Sequence, residues 1–114
     1  MNPSPIPGVT WGRLVRHEDS RGSFRELWRA RAFEDMDASL TGAAPEAAPR
    51  FVQSNLSVSA QGVLRGLHLH RRQLDHWVVT SGHAFVALVD IRPMLAGSDR
   101  PLVDAREAPA DTTV

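Results

Sequence analysis

Cysteine, lysine and tyrosine are all missing from this chain of 114 residues, and each absence removes a class of chemistry. Without cysteine there are no disulfides and no thiolate metal sites. Without lysine or tyrosine, proton handling falls to His, Asp and Glu. All 13 of the cationic Lys+Arg positions are Arg; against 13 Asp+Glu they leave a formal net charge of zero. No overall field therefore draws the chain to nucleic acid or to an anionic membrane, and an anionic ligand has to be held by a local cluster. The longest apolar run, residues 84–89, is far too short to span a bilayer. The N-terminal MNPSPIPGVTW is a Pro-rich arm (residues 1–8) leading into the chain, with neither the basic start nor the apolar centre of a secretory signal. A cytoplasmic protein is expected, with no nucleic acid and no membrane among its partners.

What is present is ordinary globular material, 42% hydrophobic and 23% charged, and the length suits a single domain over residues 1–114. VTWGRLVR (residues 9–16) predicts a short strand and Glu18-Asp19-Ser20-Arg21-Gly22 a turn. In GSFRELW, alternation places Phe24, Glu26 and Trp28 on one face. RARAFEDMDASL predicts one short helix, with Phe33, Met36 and Leu40 at helical spacing; Gly42, Pro45 and Pro49 then mark a loop.

From residue 51 the pattern turns to β. FVQSNLSV (51–58) alternates, with Gln53, Asn55 and Ser57 sharing a face. VLRGLHLH and HWVVTS predict further strands, and HAFVALVDI reads as a strand buried on both faces and ended by Pro93. Beyond it the tail predicts only a weak strand near Leu102 and Val103 and another starting at Thr112. Several short strands with frequent turns predict an all-β antiparallel sandwich or barrel with one short helix. The sheet is expected to continue past the last residue, so the chain is expected to be an incomplete domain with C-terminal strands missing.

The densest polar constellation is GVLRGLHLHRRQLDHWVVTSG (62–82). His68 and His70, two apart on a strand, project from one face, and Asp75 follows across a short turn. Two imidazoles and a carboxylate on adjacent strands suit a facial metal site; the bland alternative is a half-exposed polar strand face. Regular alternation sends Arg65 and His68 to opposite faces, whereas a bulge at Gly66 lets both look into one cavity. Gln53 and Asn55 are amides able to read a sugar or a base. Arg21 is a guanidinium suited to a phosphate, or simply a solvated turn charge.

Three stretches in one order, DSRGSFRELW (19–28), FVQSNLSVSAQGVLRGLH (51–68) and GHAFVALVDIR (82–92), resemble the dTDP-4-dehydrorhamnose 3,5-epimerases. The resemblance implies a jelly-roll cupin, a homodimer with exchanged strands and no cofactor. It implies a dTDP-4-keto-6-deoxyhexose substrate, with His68 as the base that removes a proton beside the ketone and Arg65 helping to hold the nucleotide-sugar. It further implies nucleotide contacts from Arg21, Phe24 and Glu26, with Gln53 and Asn55 lining the site. The chain departs from the family in two places. Asp75 stands where the family has a Lys near the enolate oxygen, and the family's proton-donating Tyr has no counterpart here. Loss of one such stabiliser typically costs ~10²–10³ in rate. Arg65 or Arg72 is then expected to take the cationic role. The spacing of His68, His70 and Asp75 between Gly62 and Gly82 also resembles the first cupin metal motif, which keeps a metal-binding cupin as the alternative. A weakly catalytic nucleotide-sugar-binding homologue is the other.

Overall fold

The structure is a computed structural model that describes residues 3–34, 51–71 and 73–114. It divides into two compact units, Met1–Trp28 with His76–Val114, and Arg29–Asp75. The described elements are β1 (Gly12–Arg13), β2 (Arg16–Asp19), β3 (Gly22–Arg25), α1 (Arg31–Glu34), β4 (His83–Asp90), α2 (Arg92–Leu95), β5 (Leu102–Pro109) and β6 (Thr112–Thr113). Every sheet pairing is antiparallel and both helices are single turns, so the chain is all-β. Among the described residues no helix is long and apolar enough to cross a membrane.

The first unit is organised by two ladders. β4 and β5 pair over eight residues each, from His83 opposite Pro109 to Asp90 opposite Leu102. Thr112 and Thr113 pair with Arg13 and Gly12 on one side. On the other side Trp77 and Val114 exchange two 3.0 Å backbone hydrogen bonds, and Val78 bridges Thr113. A side chain at Gly12 would bring Cβ to 2.8 Å from Thr113 Oγ1, so the close approach of these strands requires glycine there.

Four expectations need correction. HAFVALVDI does form a strand, but only one of its faces is covered: Val86 is buried while Phe85 is 66% exposed. The tail holds a full eight-residue strand, β5, in place of a weak one, and Pro93 lies in the first turn of α2, so the described residues hold two short helices. FVQSNLSV and VLRGLHLH form no strand among the described residues. Alternation supplies a pleat, but a strand also needs a ladder partner for its N–H and C=O groups. Of the predicted RARAFEDMDASL helix, only Arg31–Glu34 falls within the described residues.

The buried face of the β4–β5 ladder explains why β5 was illegible. Its inward residues include two carboxylates, Asp90 and Asp104, beside Val86 and Ala108. Each carboxylate is paired with the Arg two positions on; within β5 the strand places Asp104 and Arg106 on the same face. Asp90 accepts from Arg92 Nε and Nη2, both at 2.8 Å, and Asp104 accepts from Arg106 Nε at 2.8 Å. Trp11 Nε1 donates to the other Asp104 oxygen at 2.9 Å, while the Arg106 guanidinium lies 4.8 Å from the centre of the Trp11 ring. The same two arginines reach the Pro-rich arm, donating to Pro7 O at 3.0 Å and Pro3 O at 3.1 Å, and Ile6 of that arm is buried. That arm is tied down by charge-assisted hydrogen bonds.

The Arg106 side chain is the first cause, with Trp11 and Ser4 adding to it, that holds the Asp104 carboxyl at about 2. An unfolded aspartate titrates near ~3.9. The stabilisation is therefore complete above the unfolded value and is lost as pH falls through about 2. Asp104→Asn is expected to lower stability at pH 7 by about 2 kcal/mol, as for a hydrogen bond to a charged group. It is also expected to flatten the decline of the unfolding midpoint between pH 4 and 2, in a titration followed by circular dichroism.

Candidate functional site

Asp19-Ser20-Arg21-Gly22 closes the tightest turn in the first unit. β2 and β3 pair in register from Arg16 opposite Arg25 to Asp19 opposite Gly22, which leaves Ser20 and Arg21 as a two-residue loop. Gly22 sits at φ +131°, a region that side chains rarely tolerate. The Asp19 carboxylate accepts from the Arg21 backbone N–H at 2.8 Å, from Nε at 3.1 Å and from Nη2 at 2.6 Å. Arg21 in turn holds the Asp19 carboxyl below its usual range, chiefly through the side-chain bond. The guanidinium is thus oriented before any ligand arrives, with Nη1 outside that pair.

Across the ladder, His17 faces Phe24 with ring centroids 6.5 Å apart. Phe24 is 69% exposed, as is Phe85 at 66%. His17, Asp19, Arg21 and Phe24 are among the residues lining an open cleft of about 440 Å³. An aromatic face beside an oriented guanidinium can stack a base and bind a phosphate. Glu26 lies one residue past β3 and is exposed.

The hairpin's base is fixed by a residue that sequence reasoning missed. Arg16 and Arg25 stand opposite one another, and the Asp111 carboxylate receives both. Its Oδ2 accepts from Arg16 Nε at 3.0 Å and Nη2 at 2.9 Å, and its Oδ1 accepts from Arg25 Nη1. Arg25 Nη1 also donates to Thr80 O at 3.1 Å. Asp111 is buried, and Arg25 first, then Arg16, hold its carboxyl below the usual range against the cost of burial. The only trace in the sequence is an Asp, which tolerates positive φ, in a short polar turn; nothing there points to two distant arginines.

The remaining predicted residues belong to the second unit. Gln53 and Asn55 do share a side, with Gln53 Nε2 3.4 Å from Asn55 Oδ1. Gly66 adopts φ +139°, so the regular alternation between Arg65 and His68 is broken there. Arg65 folds back to donate to Ser59 Oγ at 2.8 Å and Val58 O at 3.2 Å. Arg65 and His68 are both exposed. Of the predicted metal set, His70 and Asp75 meet at 3.3 Å, and Gln73 donates to the other Asp75 oxygen at 3.0 Å. Among the described residues no three His, Cys, Asp or Glu side chains converge to hold a metal ion. Arg72 lies outside the described residues.

Comparison with known proteins follows the same stretches. The sequence model of a family described as dTDP-4-dehydrorhamnose 3,5-epimerase matches residues 3–98. The spore coat polysaccharide biosynthesis protein SpsL of Bacillus subtilis is 37% identical over 87 residues, 76% of this chain and 49% of its own length. A dTDP-4-dehydrorhamnose 3,5-epimerase of Pseudomonas aeruginosa is 43% identical over 76 residues, 65% of this chain and 38% of that protein. One of Streptomyces griseus is 37% identical over 95 residues, 81% of this chain and 44% of that protein. The chain thus spans about half the length, or less, of the curated relatives it matches. No solved structure matches it significantly.

The positive φ at Gly22 makes a local test. Gly22→Ala meets no steric obstacle at Cβ, so its cost comes from the backbone alone, about 1 kcal/mol or somewhat more. A lowered urea midpoint with an unchanged slope is the expected outcome.

Proposed function

This chain belongs to the dTDP-4-dehydrorhamnose 3,5-epimerase family, and from that premise we propose that it acts on a nucleotide-linked 4-keto-6-deoxysugar, as an epimerase of dTDP-rhamnose or related deoxysugar biosynthesis. The observation that carries this reading is the family match over residues 3–98, which contains both DSRGSF and RGLH. In this reading the β2–β3 hairpin takes the nucleotide. Phe24 covers one face of the base, Arg21 offers its guanidinium to the diphosphate, and Glu26 accepts from the sugar or base. Gln53 and Asn55 hydrogen-bond the hexose.

His68 is the base. Its imidazole removes the proton on the carbon beside the ketone, and the C–H electron pair moves into a new C=C bond as the carbonyl becomes an enolate. Reprotonation by solvent water on the opposite face of that carbon inverts it and restores the ketone, while the imidazolium gives its proton up to solvent. Imidazole is a side chain suited to taking up and releasing a proton near neutral pH. The enolate needs a cation or donor at its oxygen, and with no Lys in the chain that role falls to Arg65 or Arg72. Asp75, which stands in the family's Lys position, is engaged by His70 and Gln73. The reading includes a jelly-roll cupin to which residues 1–114 belong as one domain, a homodimer with exchanged strands, and a cytoplasmic location.

A second reading is favoured by Asp75 at the family's Lys position: a homologue that binds the nucleotide-sugar with little turnover. Incubation of the keto-sugar nucleotide with the protein in heavy water separates the two. The epimerase reading predicts deuterium at the carbon next to the ketone, by mass spectrometry, and a loss of at least about a hundredfold in that rate for His68→Ala. Ligand binding with exchange no faster than in buffer selects the second reading.

A further inference from the structure

We infer that Asp111 is a positioning residue for nucleotide binding, fixing the β2–β3 hairpin at its base by bridging Arg16 and Arg25. The inference rests on the reading of that hairpin as the nucleotide site and adds to it a residue far away in sequence. Arg16 and Arg25 are register partners, and like charges directly opposed across a ladder push the strands apart. One carboxylate placed between them turns that repulsion into two attractions, Oδ2 to Arg16 and Oδ1 to Arg25. Glu18, 3.8 Å from Arg16, is the other acid beside the pair, and it is far more exposed.

Asp111 is itself held on both sides. Its N–H donates to Val79 O at 2.7 Å, its C=O accepts from Leu14 N–H at 2.8 Å, and its φ of +73° places it in a turn that only a few residue types tolerate. The carboxylate is therefore a fixed point to which the hairpin is clamped. Arg25 adds a second clamp through Thr80 O. From Arg16 to Asp19 the strand runs roughly 10 Å at ~3.3 Å per residue, so a tilt of about 10° at the base moves Arg21 by about 2 Å. Misplacement of that size is enough to lose the alignment of a guanidinium with a phosphate.

The test uses the full chain and thymidine diphosphate as probe, by isothermal titration calorimetry well below each variant's unfolding midpoint. Asn suits positive φ and has the same shape as Asp, so Asp111→Asn removes charge with little other disturbance. We expect it to weaken binding by about tenfold, with Arg21→Ala/Asp111→Asn no weaker than Arg21→Ala alone, because both act through one guanidinium. Arg16→Gln in the Asp111→Asn background is expected to recover most of the loss, since it removes the opposed charge. Wild-type affinity in Asp111→Asn together with a lowered unfolding midpoint would make Asp111 merely structural and overturn the inference. Additive losses in the double variant would overturn it as well. No binding by the wild-type chain up to millimolar probe is a separate outcome: it removes the nucleotide reading itself, and this inference with it.

Discussion

Two guanidinium groups in register across a four-residue ladder repel one another, and a hairpin this short has little else to hold it. The carboxylate of Asp111, between Arg16 and Arg25, supplies what the ladder lacks. The turn that carries Asp111 also pairs with the segments around Val79 and Leu14. One residue therefore connects the start of the chain, its end and the segment around Val79. The cleft lined by His17, Arg21 and Phe24 is built on that connection.

The exclusive use of arginine is part of the same construction. Asp19 with Arg21, Asp90 with Arg92 and Asp104 with Arg106 are three copies of one device, an acid and an Arg two residues on. The planar fork of Arg can grip a carboxylate with two N–H groups and still reach another acceptor, which the single ammonium of lysine does less well. Arg92 and Arg106 use this capacity to hold the backbone of the Pro-rich arm. Carboxylates can then face inward on β4 and β5, and the hydrophobic core of the described residues can remain as small as Ile6, Val86 and Ala108. Arg21 repeats the geometry in the open, with its side chain largely exposed.

Much of this was legible in the sequence, and the parts that were not share a cause. Asp-Ser-Arg-Gly announces a two-residue turn because Gly alone accepts the φ found at Gly22. HAFVALVDI announces β4 by its apolar β-branched content. The strand β5 was hidden because its inward positions include Asp104 and Arg106, which hydropathy reads as solvent-facing. Pairing two residues apart neutralises them, and no periodicity of apolar residues reports that. FVQSNLSV erred in the other direction: its alternation is real, yet alternation is a property of one segment and a ladder is a property of two. For the candidate site, Arg21 and Phe24 line one cleft, and Gln53 lies beside Asn55. Asp111 was beyond reach, since it lies 86 residues from Arg25 and 95 from Arg16.

The proposed function assigns nucleotide binding to the hairpin and proton abstraction to His68 of the RGLH segment. That division makes the hairpin the most exposed claim of the account. Photocrosslinking with 5-iodo-2′-deoxyuridine diphosphate, whose iodine replaces the thymine methyl group, tests it directly. The account predicts an adduct on Phe24 or its hairpin neighbours, suppressed by excess thymidine diphosphate. A competable adduct confined to peptides that lack residues 17–26 would contradict it.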